Sequence, residues 1–213
     1  MSNNALIHNL TADLTPVRLR SPWREASLLL ALGALELALL LELGMMRHDM
    51  AQVIGSPYML WKMGSLAILA GIASSVVIRS FSPLASPRRG LIFMLSLAGL
   101  AMIGGAFVAS PADSDLSLLD RVSPAHGMLC AVSIAMLALP MLAMLAIQMR
   151  RAAPTHPAGS AIAAGLAAAT CGALIFAFCC PMNDPLYIVI WYSAGCAAVT
   201  SMARWLLPQR FRL

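Results

Sequence analysis

From position 26 onward the chain alternates between long apolar runs and short polar gaps. Six runs stand out: Ala26–Met46, Pro57–Ile78, Gly90–Ser110, Ala125–Met149, Ala158–Cys179 and Pro185–Leu207. Each is long enough, at roughly 1.5 Å per helical residue, to cross a hydrocarbon core of about 30 Å. Proline or glycine punctuates nearly every gap, as expected where helices turn back on one another. The pattern predicts an all-α membrane protein, a bundle of six transmembrane helices over residues 26–207. A leader, residues 1–25, precedes it and a basic tail, residues 208–213, follows.

Composition agrees. Of the 213 residues 60% are apolar and 11% charged, against about 25% charged in soluble domains. The net charge of +5 then reads as topology rather than as affinity for nucleic acid. With a cytoplasmic N-terminus, the inside segments collect Arg18, Arg20, Arg24, Arg79, Arg88, Arg89, Arg150, Arg151, Arg204, Arg210 and Arg212, 11 of the 14 basic residues. Arg47 and Arg121 fall in the outside gaps with Asp49, Asp113, Asp115, Asp120 and Asp184. This positive-inside bias predicts both termini in the cytoplasm of a bacterial inner membrane. Tyr58, Trp61, Tyr187, Trp191 and Tyr192 near the outer boundary, and Trp23 and Trp205 near the inner one, read as interfacial anchors. "AAGLAAATCG" and "GLAMIGG" suit close helix packing in lipid.

Ionisable residues inside the runs narrow the picture. Glu36 lies near the middle of the first run, where a carboxylate costs about 2.5–3.5 kcal/mol on insertion scales. Glu42 and Lys62 lie at similar depth on neighbouring spans, and an ion pair between them would ease both insertions. No second acidic cluster continues a path across the bilayer, which disfavours a transporter. Five cysteines occur without C-x-x-C spacing, which argues against a zinc ribbon or thioredoxin motif. Cys171 and Cys196 fall near mid-membrane. Cys179 and Cys180 end the fifth run on the outer side, and Cys130 sits roughly 7 Å in from that side. The outer cysteines are thus expected to be the accessible ones. His126 and Cys130 share a helix face at a spacing of four. With Cys179 and Cys180 they offer thiolate and imidazole ligands to a soft ion such as zinc, cadmium or copper. A Cys130–Cys180 disulfide is the rival state, and small buried packing residues are the ordinary use of free cysteine.

The leader carries Leu6, Leu10, Leu14 and Val17 at helical spacing, and Pro16 limits the helix to about three turns, too short to be stable alone in water. It suits the membrane surface or a groove on a partner. No phosphate loop, Ser/His/Asp arrangement or nucleic-acid motif appears, so neither catalysis nor direct nucleic-acid binding is expected.

Three stretches carry a resemblance. "LTADLTPVRLRSPW", "LPMLAMLAIQMRRAAPTHPAGSAIAAGLAA" and "CCPMNDPLYIVIWY" resemble segments of the NrsF-type membrane anti-sigma factors. The resemblance covers most of the chain and all six runs. It implies a membrane protein, not an enzyme, that holds an extracytoplasmic-function sigma factor inactive and releases it under heavy-metal or oxidative stress. It also implies that Cys130 and Cys180 are the two functional outer cysteines. The residue before the second cysteine, often His in that family, is Cys179 here. A quinone-linked membrane thiol oxidoreductase is the alternative, although it would want a C-x-x-C pair. A small metal exporter ranks third.

Overall fold

A computed structural model of the chain describes residues 11, 21–82, 85–107, 122, 124–152 and 154–209. Among them it is all helical, with seven helices and no strand. These are α1 (Pro22–Glu42), α2 (Met50–Val53), α3 (Pro57–Ser80), α4 (Arg88–Phe107), α5 (Pro124–Ala152), α6 (Pro157–Ala177) and α7 (Pro185–Gln209). Five of the seven open on proline, whose fixed φ suits the first helical turn and whose missing N–H is not needed there. Ser56 caps α3 by accepting from the Met59 amide at 3.2 Å. Asp184 starts α7, its carboxylate accepting from Leu186 N at 2.9 Å.

Five helices, α3 to α7, are long and apolar enough to cross a membrane. Helix α1, expected as the first of six spans, is the most heavily charged, with Arg24, Glu25, Glu36 and Glu42. It also begins and ends about four residues earlier than its apolar run suggests. Gly44, at φ +66°, stops it: Gly44 N bonds Leu41 O at 3.0 Å and Met45 N bonds Leu40 O at 3.1 Å, the paired closure of a left-handed helix end. The chain after Gly44 therefore folds back over the bundle through α2, a short helix that the apolar pattern does not predict. Of the leader, only Thr11 and the residues from Ser21 are described; Leu6, Leu10, Leu14 and Val17 lie outside the described residues, as does the tail from Arg210.

Helix α6 is the axis of the bundle. Thirteen of its residues are buried, mostly alanine and glycine, and α3, α5 and α7 pack round it. A Cβ on Gly172 would stand 2.9 Å from the α5 backbone, and one on Gly165 would stand 2.7 Å from Thr200 Cα of α7. Small residues thus set how near the backbones come. Helices α1 and α4 flank this centre, and α1 buries only Glu25, Leu29 and Glu36. Outward faces are apolar, with Leu30, Phe93, Leu100, Phe107 and Met136 all exposed.

Two ends result. One gathers the α1–α3 connection, the start of α5 and the turn between α6 and α7, and is called here the cysteine end. At the opposite, arginine end, Ser160 bonds the Ser80 carbonyl at 3.2 Å, and Arg88, Arg150, Arg151 and Arg204 are exposed.

Candidate functional site

The turn after α6 is the organising feature of the cysteine end. Cys179 N and Cys180 N both bond Phe176 O, at 2.9 and 3.0 Å, which winds the chain tightly before Pro181 and leaves Cys180 facing inward. Cys180 is wholly buried and Cys130, from the second turn of α5, nearly so. The two thiols belong to one buried cluster, near enough for each to act on the other, and both are free. Cys130 Sγ also lies 3.1 Å from the Tyr187 hydroxyl. Tyr58, Ile134, Ala173, Ala177, Ile188 and Tyr192 close the pocket around them.

Two cations converge on the same turn. Lys62, only 1% exposed, donates to the Cys180 carbonyl at 3.4 Å and lies 5.5 Å from the centre of the Tyr192 ring. Arg47, also buried, donates to the Cys180 carbonyl at 3.3 Å and to Asn183 Oδ1 at 3.0 Å. Its remaining nitrogens make a two-pronged pair with Asp49 at 2.6 Å each, the strongest geometry available to an arginine and a carboxylate. The Arg47 amide bonds Phe178 O at 3.3 Å, and Tyr58 hydroxyl bonds Met182 O at 3.1 Å. The guanidinium holds Asp49 below the usual carboxylate range. Cys180 is pulled below the usual thiol range, first by its hydrogen bond with Cys130 and then, against burial, by the Lys62 ammonium. Cys179, half-buried, is instead pushed up by burial. A thiol partly ionised beside a protonated partner is a nucleophile and soft-metal ligand at neutral pH.

Several expectations are corrected by this geometry. Glu42 and Lys62 do not pair: Glu42 is exposed, while Lys62 turns inward to a carbonyl and an aromatic face. Glu36 is buried with neither carboxyl oxygen hydrogen-bonded. His126 is exposed one turn before buried Cys130, because in the first two turns of α5 the buried positions are Gly127 and Cys130. Among the described residues no three His, Cys, Asp or Glu side chains are grouped to hold a metal ion, so His126, Cys130, Cys179 and Cys180 do not form one ligand set. Accessibility runs opposite to expectation as well. Cys130 and Cys180 are buried, whereas Cys171 and Cys196 are partly exposed on the flanks. Nor do the tyrosines of this end face outward as lipid anchors would. Tyr58, Tyr187 and Tyr192 are buried, and Trp61 and Trp191 donate to Ala101 O at 3.0 Å and Val122 O at 2.8 Å.

Sequence reasoning missed Arg47, Asn183 and the tyrosines as parts of the site. For Lys62 the signal was its depth within a span, which the sequence pattern assigned to a pair with Glu42 instead of to the turn after α6. Arg47 had none, since its role depends on where Gly44 turns the chain.

The chain matches the family model described as negative regulator of sigma F over residues 10–213. It is 30% identical over 208 residues to the anti-sigma-F factor NrsF of Caulobacter vibrioides, covering 96% of each chain. It is 29% identical over 217 residues to the probable anti-sigma-F factor NrsF of Azospira oryzae, covering 96% of this chain and all of the relative. No solved structure matches. A match over nearly the whole length, by both routes, means that the chain belongs to the NrsF family of negative regulators of sigma F.

Proposed function

We propose that this anti-sigma factor sits in the bacterial inner membrane with six spans and both termini in the cytoplasm. There it holds an extracytoplasmic-function sigma factor and lets go when Cys130 and Cys180 react on the outer side. Five long helices with apolar outward faces support the membrane reading, and the arginine bias supports the orientation. Helix α1 completes the six, its Glu36 turned into the bundle. The leader, with Leu6, Leu10, Leu14 and Val17, is the segment proposed to bind the sigma factor.

The observation that carries the sensing role is the buried pairing of two thiols from elements 50 positions apart in the sequence, beside a buried lysine that donates to the Cys180 carbonyl. Two thiols side by side can be bridged by one soft cation, with release of their protons. A peroxide-class oxidant can instead take two electrons and two protons from them, leaving an S–S bond, water and the reduced oxidant. Either change ties α5 to the turn after α6. A tenfold loss of affinity for the sigma factor then needs only about 1.4 kcal/mol of preference for the bridged state.

The test is co-purification of the sigma factor with the full-length protein from membranes, with and without cadmium or diamide. The wild type is expected to retain the factor at rest and to lose at least tenfold on treatment. Cys130→Ser and Cys180→Ser should lose that response, while Cys171→Ser and Cys196→Ser should keep it within about twofold. A normal response from both Cys130→Ser and Cys180→Ser sinks the sensor. Replacing Leu10 and Leu14 by Asp should free the factor without loss of membrane insertion; unchanged retention would move the binding site elsewhere.

A further inference from the structure

Cys180 is held at two points. Its sulfur meets Cys130, while its carbonyl accepts from both Arg47 and Lys62 at 3.3 and 3.4 Å. Those bonds are long for N–H···O, whose usual length is about 2.9–3.0 Å, so a small shift of the Cys180 peptide breaks them. Bridging the sulfurs draws Cys180 toward α5. A disulfide needs them about 2.05 Å apart and fixes the dihedral between them, whereas the resting thiols are unbonded neighbours in one cluster. What moves next depends on what Arg47 is attached to. It lies three residues after Gly44, which closes α1, and its amide and side chain together make three bonds to the turn, to Phe178 O, Cys180 O and Asn183 Oδ1. Helix α1 itself is loosely seated, burying three of its 21 residues.

We propose that Arg47 is the positioning residue through which the thiol pair acts on α1. It latches the helix end to the turn after α6 while Cys180 is free, and it lets the helix loosen when Cys180 is bridged to Cys130. The proposal rests on the reading of that pair as the sensor, and it adds the route. Helix α1 is continuous with the chain that leads back to the N-terminal segment. A change in how it is seated therefore reaches the far side of the bundle without any rearrangement of the α6 core. Lys62 shares the carbonyl but belongs to the tightly packed α3, so it steadies the turn without carrying the signal.

The experiment uses the full-length protein in membranes with Cys171, Cys179 and Cys196 replaced by Ser, so that diamide reacts only with the pair. Three quantities are read: bridge formation by loss of free thiol, amide hydrogen exchange across residues 22–42, and retained sigma factor. Bridging is expected to speed exchange in α1 at least tenfold when Arg47 is present. In Arg47→Met, exchange should be fast from the outset and change less than twofold once the bridge has formed to completion, at whatever rate it forms. Arg47→Lys should fall between. Asn183→Ala, which cuts the 3.0 Å bond without stranding a charge, should show a reduced response even if Arg47→Met fails to fold. A full bridging response in Arg47→Met or Asn183→Ala overturns the proposal. So does loss of bridging in Arg47→Met, which would make Arg47 part of the thiol site rather than of the route. If bridging moves α1 but the sigma factor stays bound, the route stands and the sensing function falls. If the factor leaves while α1 exchange is unchanged, the function stands and the route falls.

Discussion

The two ends of the bundle contain the same kinds of residue and use them in opposite ways. At the arginine end Trp23 and Trp205 are 84% and 69% exposed, and Arg88, Arg150, Arg151 and Arg204 point outward. At the cysteine end Tyr58, Tyr187, Tyr192, Lys62 and Arg47 are all buried and, Tyr192 hydroxyl apart, hydrogen-bonded to neighbouring chain segments. An aromatic or a cation near a membrane boundary is stable either facing headgroups or satisfied inside. Only the second arrangement joins segments that are distant in sequence, and here it encloses two thiols. Burying polar groups is costly without partners, so an end built this way is held for something other than anchoring.

The comparison is broken most readily by a single methyl group. Gly127 lets the Trp191 indole lie across the start of α5; a Cβ there would stand 1.8 Å from Cε2 and 2.1 Å from Nε1. Ala gains about 1 kcal/mol over Gly in a helix, but overpacking of this kind costs about 1–3 kcal/mol and occasionally more, and the Trp191 bond to Val122 O is lost as well. Gly127→Ala should therefore destabilise by about 2 kcal/mol or more in reversible unfolding from detergent micelles. At the arginine end, a Cβ on Gly90 meets the two γ carbons of Val76, at 2.8 and 2.9 Å, a milder clash than the one at Gly127 although Val is stiff at χ1. Gly90→Ala should cost clearly less than Gly127→Ala, about 1 kcal/mol. Equal effects at the two glycines would remove the distinction between a fitted end and an open one.

A smaller effect separates charge from packing within the site. Among the described residues no carboxylate lies in ion-pair range of buried Lys62, so its compensation there is the Cys180 carbonyl, the Tyr192 face and the ionised fraction of Cys180. Lys62→Met keeps the length and removes the charge. In the wild-type background it should cost about 1–2 kcal/mol, and in a Cys180→Ser background much less, giving a coupling of roughly 1 kcal/mol in the double-mutant cycle. An additive cycle would show that Lys62 serves the carbonyl alone. A Glu42→Gln change, by contrast, should leave Lys62 unaffected.

Much of the architecture was legible because hydrophobic period and depth are local properties. The runs gave five long helices to within a few residues, and the arginines and glycines marked their ends. The placement of Cys130 and Cys180 at one end followed from depth alone. What depth cannot give is azimuth, the direction a side chain faces round its helix. That is set by which helices are neighbours, and here by alanine and glycine on α6 drawing α3, α5 and α7 inward. So Tyr187 read as a lipid anchor and is fully buried, and His126 read as a partner of Cys130 and is exposed. Arg47 was hidden for another reason. Its partners lie over 130 positions away, and it reaches them only because Gly44 ends α1 early.

The finest division between the ends lies in one hydroxyl. Tyr187 OH meets Cys130 Sγ at 3.1 Å in the buried cluster, so Tyr187→Phe keeps the ring and leaves the sulfur without that partner. Sulfur is a weak hydrogen-bonding atom, which puts the loss at the low end of the usual range, about 0.5–1 kcal/mol. Trp205→Phe removes an indole N–H from a ring that is mostly exposed and should change stability by less than about 0.5 kcal/mol. The difference between these two small numbers is within reach of unfolding measurements, but a second readout sharpens it. Tyr187→Phe should alter the rate at which Cys130 is alkylated in the resting protein, because the hydroxyl sits against the attacking sulfur, whereas Trp205→Phe should leave that rate as it is. If both variants leave it unchanged, Tyr187 is a packing residue that happens to carry a hydroxyl, and the polar frame of the site reduces to Arg47, Lys62 and Tyr58.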